Sequence, residues 1–106
     1  MSNPMNLEVA DHGAWKLITL EGELDLATAP DLEAALPEDG DVLVDLSKLS
    51  FMDSSGLRVL IAGDQALRAS GGGLSLVAPT GHVLRVLEIT GMAAAFKVLD
   101  ELPAVE

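Results

Sequence analysis

Residues 42–57 have the sequence Val-Leu-Val-Asp-Leu-Ser-Lys-Leu-Ser-Phe-Met-Asp-Ser-Ser-Gly-Leu. The nearly continuous apolar run Val42–Leu46 is typical of a strand that helices cover on both faces. Ser47–Ser50 is predicted to be a loop, and a helix is predicted from about Gly56 to Ser70. The stretch therefore predicts a buried strand, a loop and a helix in succession.

The helix that follows is predicted to be amphipathic. Apolar residues at helical spacing form the face expected to point inward: Leu57, Leu60, Ile61 and Leu67. The residues expected outside that face are Arg58, Asp64, Gln65 and Arg68. Gly71-Gly72-Gly73 is expected to end the helix, because glycine readily adopts the backbone conformation found just after a helix. Leu74–Ala78 predicts the next buried strand.

An antiparallel hairpin is predicted before the central stretch. Trp15–Leu20 alternates with a period of two, as a strand does, and Leu7–Ala10 is a shorter strand candidate. A turn at Asp11-His12-Gly13 would join them. Glu21–Asp25 is expected to leave the second strand.

Two further helices are predicted to begin at threonines. Thr28 is expected to cap a short helix that has Pro30 in its first turn and that Pro37 stops. Its inward residues are expected to be Leu32, Ala35 and Leu36. Thr80 is expected to cap another helix, which Gly91 ends. The inward residues of that helix are expected to be Val83, Leu84 and Leu87.

The order of these elements predicts an α/β fold. A last strand is expected at Phe96–Leu99. The sheet should be mixed, with the antiparallel hairpin at one edge and parallel central strands, and helices should pack on it. We expect a single domain over residues 1–106 with a core of about residues 7–99, because 106 residues leave room for one hydrophobic core.

The composition excludes several kinds of partner. Seventeen acidic and six basic residues give a net charge of -11, which disfavours nucleic acid and anionic membranes but not a basic protein partner. With no cysteine and two distant histidines, His12 and His82, neither a metal site nor a cofactor is expected. The first residues lack the features of a signal peptide, and no apolar run approaches the roughly 20 residues of a membrane span. The expected location is the cytoplasm, without membrane insertion.

Asp53-Ser54-Ser55-Gly56 is the segment with the clearest chemical potential. The first N–H groups of a helix lack internal partners, and a serine or aspartate side chain can accept from them. One such residue suffices for a cap, whereas this segment has three in a row. A phosphoserine is also stabilised at a helix N-terminus, so a hydroxyl there can be modified while the fold stays intact. The residues alone leave both a cap and a switch open.

The same segment resembles the signature of STAS domains, in particular of the bacterial anti-sigma factor antagonists. Met-Asp-Ser-Ser-Gly at Met52–Gly56 is the most specific part of the resemblance. Gly22–Asp25 is similar to the family's first motif, and Ser70–Gly72, Leu74–Val77 and Val86–Met92 resemble its second half. The resemblance extends over nearly the whole chain and implies a sheet with helices on one principal side.

The resemblance implies a function in partner switching. Such an antagonist binds an anti-sigma factor that is also a serine kinase, and thereby releases the sigma factor. The kinase uses ATP to phosphorylate the second serine of the motif, here Ser55, which ends the interaction. A metal-dependent serine phosphatase restores the unphosphorylated form. The chain itself would be a regulator and not an enzyme.

The resemblance also implies roles for individual partner-binding residues. Asp53 would position the segment and contact the kinase, and Ser54 would be a neighbouring cap. Gly56 would let the kinase backbone approach closely, with a tight turn as the alternative. Asp25 would lie on the same docking surface, with a solvated loop carboxylate as the alternative.

Two other functions remain as alternatives. STAS domains also act as fixed subunits of membrane-associated complexes such as lipid-transport ATPases, without a phosphate cycle. A serine hydrolase is a more distant alternative, because the Gly-x-Ser-x-Gly spacing is absent around Ser54 and Ser55. His82, the conceivable base, opens a predicted helix and is expected to be ordinary exposed surface.

Overall fold

The computed structural model describes residues 5–105. Its strands are β1 Met5–His12, β2 Trp15–Leu24, β3 Asp41–Met52, β4 Gly73–Val77 and β5 Lys97–Leu99. Its helices are α1 Ala29–Ala35, α2 Ser54–Ala69, α3 Gly81–Ile89 and α4 Met92–Ala95. The predicted α/β class is therefore confirmed, and so is the predicted order of elements apart from the short α4, which was not predicted.

The sheet has the order β1-β2-β3-β4-β5. The β1–β2 pair is antiparallel and forms one edge, whereas the other neighbouring strands are parallel. The predicted hairpin is confirmed, but its turn was placed too early. Asp11 and His12 still pair with β2, so the turn lies at Gly13 and Ala14, where Gly13 has a φ of 61°.

All four helices pack on one face of the sheet. Buried residues of the helices form one apolar cluster with alternate strand residues such as Ile18, Val42 and Val44. Leu43, which points to the opposite face of β3, is fully buried but lies outside that cluster. The prediction that helices cover both faces of Val42–Leu46 is therefore wrong, and the one-sided arrangement implied by the resemblance is confirmed.

The second face of the sheet is covered by the C-terminal segment, residues 100–105. The carbonyl oxygen of Pro103 lies 2.7 Å from Nε2 of His12, whose side chain lies on that face. Val105 packs against Gly13 in the hairpin turn. Since β5 and the hairpin lie at opposite edges of the sheet, the segment crosses the face between them. We infer that this crossing buries Leu43, which no helix covers.

Strands β2 and β3 both run further than predicted. Ser47–Ser50 is not a loop, and Glu21–Asp25 does not leave its strand early, because the two strands stay paired up to Leu24 opposite Met52. The register shifts twice along this extension, and Gly22 has a φ of 109° there. Such irregular pairing carries little sequence periodicity, which explains why the extension was missed.

The C-terminal half of α2 contains a buried charge that was predicted to be exposed. The Asp64 carboxylate accepts a hydrogen bond from the N–H of Leu74 at 3.0 Å and pairs with Nε of Arg68 at 2.9 Å. Asp64 is 8% exposed and ties the end of α2 to the first residues of β4. As predicted, α2 ends at the glycine run. A Cβ atom on Gly72 would lie 1.8 Å from the carbonyl oxygen of Gly40, so only glycine fits there.

Candidate functional site

Asp53 alone caps the helix that carries the two serines. Its backbone is extended, and its carboxylate accepts hydrogen bonds from the N–H groups of Ser55 at 2.8 Å and Gly56 at 3.2 Å. Its own N–H donates to the carbonyl oxygen of Leu24 at 3.1 Å. Asp53 therefore joins the start of α2 to the end of β2 and satisfies two of the free N–H groups of the helix.

The two serines occupy the first two positions of α2. The helix begins at Ser54, two residues earlier than predicted, so the expectation that Ser54 acts as a neighbouring cap is wrong. Ser54 is exposed and Ser55 is half-buried. Within residues 5–105, neither hydroxyl makes a hydrogen bond, because Asp53 already does the capping. Both hydroxyls are thus free to react or to contact a partner.

Gly56 serves internal packing. It is buried in the first turn of α2, and a Cβ atom there would lie 2.5 Å from Cγ and 3.2 Å from the carbonyl oxygen of Leu24. A tight turn, the alternative for this glycine, is not what the structure shows, since the residue is helical. Because the glycine faces inward, its hydrogen atom lets α2 approach β2 closely and thereby fixes where Ser55 emerges.

The loop between β2 and α1 is held by Asp25 and Thr28. The Asp25 carboxylate accepts hydrogen bonds from the N–H groups of Ala27 at 3.0 Å and Thr28 at 3.1 Å. The Thr28 hydroxyl accepts from the N–H of Asp25 and donates to the carbonyl oxygen of Glu23, each at 2.9 Å. Thr28 occupies the predicted cap position but makes no capping bond, because its hydroxyl is directed back to β2. Asp25 is half-buried and is more than a solvated carboxylate.

These two segments lie side by side at the carboxyl ends of β2 and β3. Leu24 and Met52 are paired at the ends of β2 and β3. The Asp25 loop follows the first strand and Asp53 follows the second, with the 3.1 Å hydrogen bond from Asp53 to Leu24 between them. The predicted site residues are therefore brought together by the parallel pairing of two strands.

Phe51 and His82 border this site and were not predicted to belong to it. Their rings are stacked with centroids 4.9 Å apart and planes 2° apart. Nε2 of His82 lies 3.2 Å from the carbonyl oxygen of Met52. The start of α3 is thus attached to the segment just before Asp53. No local sequence signal connects residues so far apart, so this contact had to come from the structure.

In residues 5–105, no group of three or more histidine, aspartate or glutamate side chains is placed to hold a metal ion. The imidazole of His82 faces a backbone carbonyl and not a serine hydroxyl. A cavity of about 570 Å³ lies at the amino ends of the parallel strands, beside Trp15, Arg68 and Lys97, away from the serines. Among the described helices none has the length and apolarity that crossing a membrane requires.

The family of the chain follows from comparison with known proteins. A family model described as "Mlab, STAS domain" matches residues 7–100. A protein of Staphylococcus aureus strain NCTC 8325 named anti-sigma-B factor antagonist is 32% identical over 93 residues, which cover 83% of this chain and 86% of the relative. Antagonists of this kind are regulatory binding proteins and not enzymes.

Solved structures agree with this relationship. An anti-sigma factor antagonist from Mycobacterium paratuberculosis superimposes with a TM-score of 0.79 and 30% identity, over 96% of this chain and 92% of that one. The antagonist SpoIIAA in its unphosphorylated form has the same fold, with a TM-score of 0.75 and 23% identity over 95% of this chain and 90% of its own. The chain therefore belongs to the STAS domain family, among relatives that are anti-sigma factor antagonists.

Proposed function

We propose that this chain is a cytoplasmic anti-sigma factor antagonist that is switched by phosphorylation of Ser55. The observation that carries the proposal is the free, half-buried hydroxyl of Ser55 on a helix that Asp53 already caps. A capping hydroxyl would have to give up a hydrogen bond on modification, whereas this one has none to lose. The partner is an anti-sigma factor with serine kinase activity, and a serine phosphatase reverses the reaction.

The surroundings of Ser55 at the start of α2 support a large effect of one phosphoryl group on the affinity for the partner. Transfer from ATP to Oγ of Ser55 releases ADP and a proton and adds about -1.5 to -2 charge. The dianion would come next to the Asp53 carboxylate, which already accepts from the N–H groups of Ser55 and Gly56. Docking would have to strip water from the phosphate and fit its added volume against a partner that binds the unmodified hydroxyl, and both effects oppose binding. The few kcal/mol needed to exchange partners are within reach of these effects.

The partner-binding surface in this proposal consists of Asp25, Asp53, Ser54 and Ser55. Gly56 is buried and contributes to this surface indirectly, because it positions the helix against Leu24. The neighbouring carboxylates favour a basic partner surface, in keeping with the net charge of -11.

Phosphopeptide mapping tests the proposal directly. We would incubate the chain with magnesium ATP and a lysate of its host, and then digest it with trypsin. Cleavage after Lys48 and Arg58 gives one peptide, residues 49–58, that contains three serines. Fragmentation of this peptide distinguishes Ser50 and Ser54 from Ser55. We expect one phosphoryl group, on Ser55.

Matched variants make the result specific. Ser54→Ala should still be phosphorylated, whereas Ser55→Ala should not. Ser55→Asp should bind the kinase more weakly than wild type. Wild-type binding by Ser55→Asp, or phosphate on Ser54 instead, would refute phosphate control through Ser55.

The fixed-subunit alternative makes the opposite prediction. A STAS subunit of a lipid-transport ATPase needs no phosphate cycle. The matching family model is described as a STAS domain and its name does not mention anti-sigma factor antagonists. The absence of phosphorylation, in a lysate that phosphorylates a control serine substrate, would favour this alternative.

A further inference from the structure

Leu26 projects into solvent from the loop between β2 and α1. Its side chain is 76% exposed, although leucine is among the residues that proteins most often bury. Single exposed leucines are common on protein surfaces, so exposure alone does not indicate a function. The conformation of the loop and its position in the fold are what distinguish Leu26.

The loop that carries Leu26 is held in one conformation. Hydrogen bonds to the Asp25 carboxylate reach across Leu26 to the N–H groups of Ala27 and Thr28. The buried Thr28 hydroxyl ties the loop back to β2 through the carbonyl oxygen of Glu23. Because the backbone on both sides of Leu26 is fixed, a partner that binds this side chain would have little loop entropy to remove.

Leu26 is also connected to the proposed switch through hydrogen-bonded backbone. It follows Leu24 by two residues, and Ser55 follows Asp53 by two residues, while Leu24 and Asp53 are joined by a 3.1 Å hydrogen bond. Phe51, 37% exposed, is at the end of the adjacent strand. Leu26 and Phe51 therefore belong to the two segments that also carry Asp25 and Asp53, at the carboxyl ends of β2 and β3.

Carboxylates flank Leu26 in its loop and cap the neighbouring helix. Glu23 is exposed and Asp25 is half-buried on the Leu26 side, and Asp53 is half-buried on the serine side. An apolar centre with a charged rim is the usual composition of a binding surface in which a few central residues carry most of the energy. The complementary surface is an apolar recess with basic side chains at its border.

We propose that Leu26 is the apolar anchor by which this chain binds its anti-sigma factor kinase, in a recess of that partner with a basic border. Asp25 acts as a positioning residue that holds the anchor in place. This inference rests on the proposed function and adds the residue that carries the affinity. Phosphate on Ser55 then acts beside the anchor and need not alter it.

The chain offers a matched control for the anchor. Ile89 is 77% exposed, as Leu26 is, but lies at the far end of α3. The first turn of α3 contacts Met52 through His82, and seven residues of helix place Ile89 roughly 10 Å further along the axis. An exposed leucine or isoleucine can be replaced by aspartate without loss of core packing, so both variants should fold.

The experiment compares Leu26→Asp with Ile89→Asp. Affinity for each purified anti-sigma factor kinase of the host is measured by calorimetry, and circular dichroism checks the fold. We expect Leu26→Asp to bind roughly 30-fold more weakly and to be phosphorylated more slowly at Ser55, whereas Ile89→Asp stays within about twofold of wild type. Leu26→Met should restore most of the affinity. Equal affinities for Leu26→Asp and wild type would show that Leu26 is not the anchor.

Failure of the proposed function gives a different result. If wild-type protein binds none of these kinases and Ser55 is not phosphorylated, the antagonist function and the anchor both fail. If wild type binds and Leu26→Asp binds equally well, only the anchor fails.

Asp25 is tested by charge and geometry separately. Asp25→Asn keeps an oxygen that can accept from Ala27 and Thr28, whereas Asp25→Ala does not. A positioning role predicts near-normal affinity for the asparagine variant. For the alanine variant it predicts weaker binding with a more unfavourable entropy and faster hydrogen exchange of the Thr28 amide. Equal losses in both variants would show that the charge matters instead.

Discussion

At the start of α2, different residues cap the helix and provide free hydroxyls. The sequence alone did not separate these two roles. Asp53 accepts from the helix N–H groups, and Ser54 and Ser55 keep their hydroxyls free. An acidic side chain at this position also interacts favourably with the positive end of the helix. The division matters because a residue that is to be modified should not be needed to hold the helix.

This division predicts different stabilities for two variants of the cap. Asp53→Ala should lower the free energy of unfolding by about 1 kcal/mol, because it removes the acceptor for Ser55 and Gly56. Asp53→Asn should stay close to wild type, since asparagine caps helices about as well as aspartate. Urea unfolding at neutral pH measures both. An equal loss in the asparagine variant would show that the charge, and not the hydrogen bonds, stabilises the helix start.

At the scale of elements, the position of the switch depends on how closely α2 approaches β2. Gly56 permits the contact, since the buried Leu24 side chain fills the space in which a Cβ atom would lie. The same strand supplies the carbonyl oxygen that Asp53 binds. The helix start is therefore seated on the end of β2 by one close contact and one hydrogen bond.

Replacing this glycine should destabilise the protein despite the better helix propensity of alanine. Gly56→Ala gains about 1 kcal/mol of propensity but overlaps with Leu24, and overpacking of this kind typically costs about 1–3 kcal/mol. Gly63 is the control in the same helix, because the one close contact of its Cβ atom would be with the end of the half-buried Leu36 side chain, at 2.7 Å. Thermal unfolding should place Gly56→Ala below Gly63→Ala. The reverse order would show that Leu24 moves aside easily.

At the scale of the whole molecule, the two faces of the sheet are covered in different ways. Four helices cover one face, and residues 100–105 cross the other and contact the hairpin at His12 and Gly13. Leu43 and Val77 are buried on this second face. The C-terminal segment therefore completes the burial of the central strands.

Truncation after Asp100 should expose this second face. We expect the free energy of unfolding to fall by about 1–3 kcal/mol and an apolar dye to bind, because Leu43 and Val77 would lose their cover. His12→Ala keeps the segment but removes the hydrogen bond with Pro103 and the ring contact with Trp15, and it should cost about 1 kcal/mol. A truncated protein with the urea midpoint of wild type and no dye binding would contradict a covering role for the segment.

Local sequence patterns were enough to predict the hairpin, the order of all strands and helices except α4, and the position of the serines at a helix start. Each of these depends on residues near one another in the chain: alternation in Trp15–Leu20, helical spacing after Ser55, and glycines where helices end. Such local patterns express backbone preferences that need no distant partner. The resemblance of Met52–Gly56 to a known signature added the family, which the comparisons confirmed.

Contacts between residues that are distant in the chain could not be predicted in this way. Ser47–Ser50 became strand through pairing with β2, Asp64 was buried because the first residues of β4 offer it an N–H, and Gly56 met Leu24. The C-terminal segment, in place of helices, covered Leu43. The physical reason is that these outcomes depend on surfaces and hydrogen-bonding groups that come together only when the sheet has assembled, and no periodicity along the chain records them.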